Sequence, residues 1–259
     1  MNKGICILPM VPVREKPTDK SQMINQLLFG DVVLIKDQFK SWLFVTTSHD
    51  GYAGWIDEKQ ISTFDDAFFE QMEKEDPVFL TEKYVEARGE NGNKLPLTLG
   101  SRLPGFDNNT FRMGKFTFKL PEMASLIKGR QTPEVVITTA RYYLGSPYLW
   151  GGRSYFGNDC SGFTQIVFRL CGYNLHRDAS QQAEQGKLVS FVEEAKAADL
   201  AFFENEEGSI VHTGILLNNH EIIHSSGQVR IDTIDHEGIF NETTKKYSHK
   251  LRFIKRMLD

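Results

Sequence analysis

The second half of the chain changes from a helical spacing of apolar residues to the alternating spacing of strands. Thr132-Pro133-Glu134 supplies an N-cap, a first-turn proline and an early acid, which predicts a helix over 135–144. Apolar residues at intervals of three and four over 163–170 predict a second helix, which runs to about Cys171 and packs one face inward. Strands are predicted near 200–203, 210–217, 221–226, 229–233 and 249–256. This order predicts an α+β fold with helices packed on an antiparallel sheet.

The first half of the chain consists mainly of short apolar runs separated by turn sequences. Val32-Val33-Leu34-Ile35 and Trp42-Leu43-Phe44-Val45 are typical of strands, and Gly30-Asp31 and Asp50-Gly51 mark turns, so this part is predicted to form a small β-barrel. A short amphipathic helix is predicted before Pro77, after which strand-like sequence resumes. The predicted domains are a barrel at 1–62, a linker helix at 63–76, a second and degenerate barrel at 77–122, and the α+β domain at 123–259.

Composition narrows the possible partners and locations of the protein. The 259 residues are 40% hydrophobic and carry a net charge of −4, with no apolar run near the roughly 20 residues of a membrane span. A soluble monomer that binds neither nucleic acid nor membrane is therefore expected. Three cysteines without a CxxC pair argue against a disulfide framework or a structural zinc site. The apolar stretch after Met1 is too short for a signal peptide, so we expect a cytoplasmic protein if Met1 is the true start.

Cys160 is the candidate nucleophile. It lies in Asn158-Asp159-Cys160-Ser161-Gly162-Phe163, where a glycine-rich loop meets the start of the second predicted helix. Unpaired backbone N–H groups and the positive end of the helix dipole favour a thiolate at such a position, and the thiolate is the reactive form. The alternative is that Cys160 is a small buried apolar residue.

Two histidines on neighbouring predicted strands are candidate partners of this cysteine. A hairpin symmetric about Asn218 would place His212 directly opposite His224 on one face, with Cβ atoms roughly 4.5–5.5 Å apart. Cys160, His212 and His224 would then serve as nucleophile, base and orienter in thiol acyl transfer. The alternatives are structural histidines or a zinc site of Cys160 and both histidines, and no further ligand-like spacing supports the zinc site.

The motifs of the second half together resemble one enzyme family. They are Pro147-Tyr148-Leu149-Trp150-Gly151-Gly152, Asp159-Cys160-Ser161-Gly162-Phe163, Arg177-Asp178-Ala179-Ser180-Gln181, Asp199-Leu200-Ala201-Phe202-Phe203, His212-Thr213-Gly214-Ile215 and Ile223-His224-Ser225-Ser226-Gly227. Over about 132–259 the chain is similar to the NlpC-type cell-wall cysteine peptidases, which are papain-like. The segment Asp50-Gly51-Tyr52-Ala53-Gly54-Trp55-Ile56, with the barrel pattern before it, resembles a bacterial SH3-like domain. The whole chain therefore resembles the γ-D-glutamyl-L-diamino acid endopeptidases of the dipeptidyl-peptidase VI type.

This resemblance implies a papain-like α+β fold, no metal or other cofactor, and cleavage of the bond between γ-D-Glu and diaminopimelate or Lys. The substrate implied is a murein peptide with a free N-terminal L-Ala. The positions that match Tyr148, Asp159, Ser161 and Arg177 shape the substrate site in that family, with the acid and the hydroxyl meeting the L-Ala amine. Each position also has an ordinary structural role: Asp159 would cap a helix, Arg177 would form an ion pair and Tyr148 would anchor a loop.

Two further points stay open at the level of sequence. Tyr52 is either a ligand-facing aromatic residue that contributes to substrate binding or part of the barrel core, and Trp55 is expected in that core. The favoured function is a cytoplasmic peptidase of murein-peptide salvage. The alternatives are an exported enzyme that remodels the cell wall and a non-catalytic protein that binds wall peptides.

Overall fold

The N-terminal unit of the protein begins with a seven-stranded antiparallel sheet. The computed structural model describes residues 2–258 and divides the chain between Gly129 and Arg130, so Met1 and Asp259, the outer ends of the predicted domains, lie outside the described residues. The sheet has the order β3-β2-β6-β5-β4-β1-β7. Its strands are Lys3–Cys6 (β1), Met10–Arg14 (β2), Met23–Leu28 (β3), Val32–Phe39 (β4), Trp42–Thr47 (β5), Ala53–Asp57 (β6) and Ile61–Ser62 (β7).

Helix α1, Asp66–Lys74, lies within the region predicted as a linker. Asp65 caps it by accepting a hydrogen bond from the Phe68 backbone N–H (3.0 Å), and Phe69 and Met72 are buried in a core that contains residues from both halves of the unit. The remaining strands are Val78–Leu80 (β8), Tyr84–Gly89 (β9), Lys94–Thr98 (β10), Thr110–Met113 (β11), Phe116–Lys119 (β12) and Leu126–Lys128 (β13). Because β13 pairs with β8, the unit ends at Gly129 rather than at the predicted residue 122.

The C-terminal unit places its helices before most of its strands, in the predicted order. Its early elements are Pro133–Arg141 (α2), Arg153–Ser154 (β14), Gly157–Asn158 (β15), Cys160–Leu170 (α3) and Ala179–Gln182 (α4). Every residue of α3 is buried, whereas the sequence predicted a helix with one inward face. The helices of the described residues all lack the length and apolar character needed to cross a lipid bilayer.

The strands of the C-terminal unit close into a barrel. They are Lys187–Val189 (β16), Leu200–Glu204 (β17), Ile210–Leu216 (β18), Glu221–Ser226 (β19), Gln228–Ile234 (β20), Gly238–Asn241 (β21) and Lys246–Arg256 (β22). The sheet order is β16-β22-β17-β18-β19-β20-β21, and β21 also pairs with β22, so six strands form a closed ring. Closure gives each of these six strands a partner on both sides along part of its length, and alternate residues point into the barrel. Phe203, Leu216, Ile222, Ile239 and Ile254 are among the buried residues of its core.

Ala198 stands just before β17, where the family to which the sequence is similar commonly has glycine. Its φ of 68° lies in the left-handed region, which disfavours residues with a Cβ atom. Alanine in place of glycine therefore makes the local backbone conformation at position 198 less favourable. It lies at a turn, where the Ala198 N–H donates to Leu216 O (2.9 Å), and does not alter the side chains of the candidate site.

Candidate active site

Cys160 is the first residue of helix α3 and Asp159 is its N-cap. The Asp159 carboxylate accepts hydrogen bonds from the backbone N–H groups of Gly162 (2.7 Å) and Gly151 (2.8 Å), so it joins the helix start to the preceding loop. A Cβ atom at position 162 would lie 2.2 Å from the carbonyl oxygen of Gly152, so only glycine fits there. The capping role predicted for Asp159 is thus present in the structure.

Arg177 forms an ion pair with the Asp159 carboxylate through two hydrogen bonds. Its two terminal nitrogens lie 2.9 Å and 2.6 Å from the two carboxylate oxygens, and one of them also donates to Ser161 Oγ (3.1 Å). The side chains of Arg177 and Asp159 are only 1% and 7% exposed. Each carboxylate oxygen accepts bonds from both a backbone N–H and the guanidinium, and the charge of Asp159 is balanced inside the protein. The ion pair that the sequence analysis gave as the ordinary structural role of Arg177 is thus present, and its partner is Asp159.

The surroundings of Cys160 disfavour a resting thiolate. Burial raises the pKa of the thiol to about 12, and the negative charge of Asp159 adds to this effect. A hydrogen bond from the backbone of Thr213, the charge of Arg177 and the backbone of Ser161 act in the opposite direction but do not outweigh burial. The backbone at the helix start thus favours the thiolate, as predicted, but burial outweighs this effect, so attack by this sulfur requires a base that accepts its proton.

Tyr148 lies next to the cysteine. Burial, with smaller contributions from the charges of Cys160 and Asp159, raises the pKa of its phenol to about 12, so the hydroxyl keeps its proton and can donate a hydrogen bond. The Tyr148 backbone is held by a bond from its N–H to Gly227 O (2.9 Å) and by a bridge to Asn158. The structure thus brings Tyr148, Asp159, Ser161 and Arg177 together around Cys160.

His212 and His224 meet on one face of the barrel, although not in the predicted register. His224 pairs with Gly214 and not with His212, because the loop is Asn218-Asn219-His220 and Asn218 begins it, accepting bonds from the N–H groups of His220 (2.8 Å) and Glu221 (2.9 Å). The shift is two residues, so each side chain keeps its face. The two histidines are diagonal neighbours, and His212 Nε2 lies 2.8 Å from His224 Nδ1.

Two residues of β20 that the sequence analysis missed extend this pair. His224 Nε2 lies 2.9 Å from Asp232 Oδ2, and Asp232 Oδ1 accepts a hydrogen bond from Arg230 (2.6 Å). Burial raises the pKa of Asp232, but the bonds from His224 and Arg230 outweigh it, so the pKa of this carboxyl lies below its usual value. A signal for these residues was present: a hairpin centred on Gly227 places Arg230 opposite His224 and Asp232 two positions further on.

His249 on β22 is a third histidine in the cluster. Its ring stacks on that of His212, with centroids 4.1 Å apart and planes at 25°, and it reaches His212 across the barrel interior from a strand that is not a neighbour of β18. Nitrogens of His212, His224 and His249 lie within 4.8 Å of one another. Nearly parallel rings direct their lone pairs alongside one another rather than toward one ion, and the His212–His224 contact is a hydrogen bond. We therefore assign this cluster no metal.

The histidine cluster makes the stability of the C-terminal unit sensitive to acid. Burial lowers the pKa of His249 from 6.5 to about 4 and lowers that of His212 well below 6.5. The unfolded chain thus binds more protons between about pH 6.5 and 4, and the free energy of unfolding should fall as the pH falls through this window, by up to about 1.4 kcal/mol per pH unit for each histidine. His249→Phe keeps an aromatic ring but cannot titrate, so its slope, measured by denaturation at several pH values, should be shallower. An unchanged slope would contradict this account.

Tyr52 lies in the N-terminal unit, at the turn that follows Asp50-Gly51. It is half-buried, and its N–H donates to Thr47 Oγ1 (2.9 Å). Trp55, expected in the barrel core, is also half-buried and packs against Phe44 with ring centroids 5.2 Å apart. The contribution of Tyr52 to substrate binding stays a prediction.

Comparisons with known proteins place this geometry in a family. Residues 145–248 match the NlpC/P60 family, and residues 13–61 match the bacterial dipeptidyl-peptidase Sh3 domain. The gamma-D-glutamyl-L-lysine dipeptidyl-peptidase of Bacillus subtilis (strain 168) is 32% identical over 217 residues, which are 78% of this chain and 71% of the relative. Dipeptidyl-peptidase 6 of Lysinibacillus sphaericus is 23% identical over 260 residues, 90% of this chain and 92% of the relative.

A solved structure shows the same fold. The crystal structure of an NlpC/P60 family protein from Bacillus cereus ATCC 10987 aligns with a TM-score of 0.84 at 22% identity and covers 99% of this chain and 100% of that chain. The predicted fold class, a papain-like domain with an SH3-like domain before it, is thereby confirmed, as is the resemblance stated from the sequence motifs. The chain therefore belongs to the NlpC/P60 family and is a cysteine peptidase.

Proposed function

We propose that this peptidase hydrolyses the bond between γ-D-Glu and the L-diamino acid, diaminopimelate or Lys, in murein peptides with a free N-terminal L-Ala. The names of the relatives support the bond, since two of them are gamma-D-glutamyl-L-lysine dipeptidyl-peptidases. We further propose that the enzyme works in the cytoplasm, in the recycling of wall peptides. Fractionation of the cells that make it, with detection by antibody, tests this location, and recovery mainly outside the membrane would favour the wall-remodelling alternative.

The observation that carries this proposal is the placement of Cys160 at a helix start beside Thr213, the residue that follows His212. The Cys160 sulfur attacks the γ-glutamyl carbonyl carbon while its proton passes to His212. Tyr148 is placed to donate a hydrogen bond to the oxygen on which negative charge develops. His212 then gives the proton to the leaving amine of the diamino acid, and water attacks the thioester to release the dipeptide and regenerate the thiol.

The cluster of Asp159, Ser161 and Arg177 supports recognition of the peptide's N-terminal amine. It places a buried carboxylate and a hydroxyl next to the nucleophile, and an ammonium group is the natural partner of a carboxylate. The guanidinium of Arg177 already balances the negative charge of Asp159, so the substrate amine would share the carboxylate with Arg177 rather than neutralise it alone. The energetic benefit of the free amine is therefore expected at the lower end of the range for buried charged partners.

Free L-Ala-γ-D-Glu-diaminopimelate should be cleaved about thirtyfold more efficiently than the same peptide acetylated at its amine, which corresponds to about 2 kcal/mol. The measurement is kcat/KM for both peptides, with products identified by mass spectrometry, and the L-Lys peptide in parallel shows the third-residue preference. An isomer with an α-linked D-Glu is the control for the bond. Comparable values for the free and acetylated peptides would contradict amine recognition and favour an exported enzyme that acts on intact wall.

A further inference from the structure

Two hydrogen-bonded contacts lead from the candidate base to the ion pair of Asp232 with Arg230, and they determine where the protons lie. Asp232 is 8% exposed and its pKa lies below the usual range, so it is a carboxylate that can only accept. His224 Nε2, 2.9 Å away, must therefore carry a proton. With His224 neutral, its Nδ1 is an acceptor, and the proton of the 2.8 Å contact belongs to His212 Nε2. His212 is then left with an unprotonated Nδ1.

We propose that Asp232 and Arg230 are positioning residues that set the tautomers of His224 and His212, so that His212 Nδ1 is the nitrogen that accepts the thiol proton. This inference rests on the proposed roles of Cys160 and His212 and adds two residues to them. In the step itself, the proton of Cys160 moves to His212 Nδ1 as the sulfur bonds to the carbonyl carbon. The resulting imidazolium donates through Nε2 to His224, whose Nε2–H donates to Asp232.

Arg230 binds the Asp232 oxygen that His224 does not use. If both nitrogens of His224 carried protons, its Nδ1–H would donate to His212 Nε2 and leave the proton of a neutral His212 on the wrong nitrogen. Arg230 donates to Asp232 Oδ1 at 2.6 Å and balances the carboxylate charge, so less negative charge faces His224. Two other imidazoles face His224: that of His249 on β22, whose pKa is lowered to about 4, and that of His212. Neither supplies a second negative charge near His224.

Asp232→Asn is the most informative variant, because asparagine has nearly the same shape as aspartate but can donate a hydrogen bond, which changes the tautomers expected for both histidines. Arg230 can only donate, so the carbonyl oxygen of the new amide accepts its hydrogen bond. The amide NH₂ then faces His224 Nε2. His224 must then carry its proton on Nδ1, and His212 on its own Nδ1, where it blocks proton transfer. We expect kcat to fall about a thousandfold, by analogy with the tautomer effect of the equivalent change in serine proteases, with KM little altered.

Two variants of Arg230 separate positioning from packing. Arg230→Gln removes the positive charge but keeps an amide that can donate to Asp232 Oδ1, so it should lower kcat less than Asp232→Asn does. In the double variant Arg230→Met with Asp232→Asn, the amide is free to turn its oxygen toward His224, so part of the activity lost in Asp232→Asn should return. No recovery in the double variant would overturn the role given to Arg230.

The test includes readouts that do not depend on the identity of the substrate. Two-bond ¹H–¹⁵N correlation spectra report the tautomers of His212 and His224, and the rate of alkylation of Cys160 by iodoacetamide reports proton transfer. Asp235→Asn is the matched control. Asp235 follows the last residue of β20, accepts a hydrogen bond from the Tyr247 hydroxyl (2.6 Å) and makes no contact with His212, His224 or Asp232 among the hydrogen bonds described above. This variant should leave all readouts unchanged. Wild-type tautomers in Asp232→Asn, or kcat within tenfold of the wild type, would overturn the proposal. A failure of the wild type to cleave the γ-D-glutamyl peptides would instead count only against the proposed substrate.

Discussion

Cys160→Ala is expected to reduce peptide hydrolysis by at least about a thousandfold while the protein stays folded, because the covalent route loses its nucleophile. Alanine has a higher helix propensity than cysteine, and the substitution removes a single buried sulfur at the first position of α3. We therefore expect the calorimetric unfolding profile to change little. Retention of even a tenth of the wild-type kcat would exclude Cys160 as the nucleophile.

Cys171 provides a control in the same helix. It caps the end of α3, it is fully buried, and burial raises the pKa of its thiol to about 11. Cys171→Ala should leave kcat near the wild-type value, although it loses the contact with Thr139 Oγ1 (3.6 Å) and some stability. In the wild type, alkylation should occur at Cys160 before Cys171, because Cys160 lies beside Thr213, the residue that follows the proposed base His212, and an equal rate at both cysteines would contradict activation by His212.

Arg177→Met is expected to destabilise the C-terminal unit by about 3–5 kcal/mol, because it leaves the Asp159 carboxylate buried without its cation. The guanidinium of Arg177 is nearly inaccessible to solvent, so water cannot replace it. The same change should raise the pKa of Cys160 further, since Arg177 lowers it. Unfolding of the C-terminal unit, followed by calorimetry and denaturant titration, measures the loss of stability.

A second arginine of the unit gives the comparison that this prediction needs. Arg256 makes two hydrogen bonds with Asp199 (2.9 Å and 2.8 Å), in the same way as Arg177 with Asp159, but its side chain is 31% exposed. Asp199 is itself buried, so Arg256→Met should also destabilise the unit, but by less than Arg177→Met, because water can take the place of a partly exposed guanidinium. The double variant of Arg177→Met with Asp159→Asn should recover part of the stability, because no buried charge is left unpaired. Equal losses for the two arginine variants would show that burial is not the cause.

The main elements of the C-terminal unit could be predicted from the sequence because their signals are local. The proline and acid at the start of α2, the apolar spacing of α3 and the alternation along β18 each lie within about ten residues. The pairing of His212 with His224 also followed from this alternation. A register error of two residues left both side chains on the same face, so the predicted pair was right even though its assumed opposition was wrong.

The parts that could not be predicted depend on contacts between distant segments. His249 reaches His212 from β22, which is separated from β18 by β17, and no spacing in the sequence predicts that strand order. The ion pair of Asp159 with Arg177 joins residues 18 positions apart through the turn after α3. The sequence indicated a helix cap at Asp159 and an ion-pair residue at Arg177, but it did not indicate that the two side chains pair with each other. Burial of α3 on all sides likewise arises from the packing of loops that have no periodic pattern.

The closed ring of strands has a consequence for how the protein fluctuates. His212, His224 and Asp232 lie on β18, β19 and β20, three consecutive strands that are each paired on both sides. His224 pairs with Gly214 on one side and with Arg230 on the other, so its backbone amide should exchange with solvent only in the rare events that open the whole unit. The position of this histidine is therefore tied to the global stability of the unit and not to the conformation of a single loop.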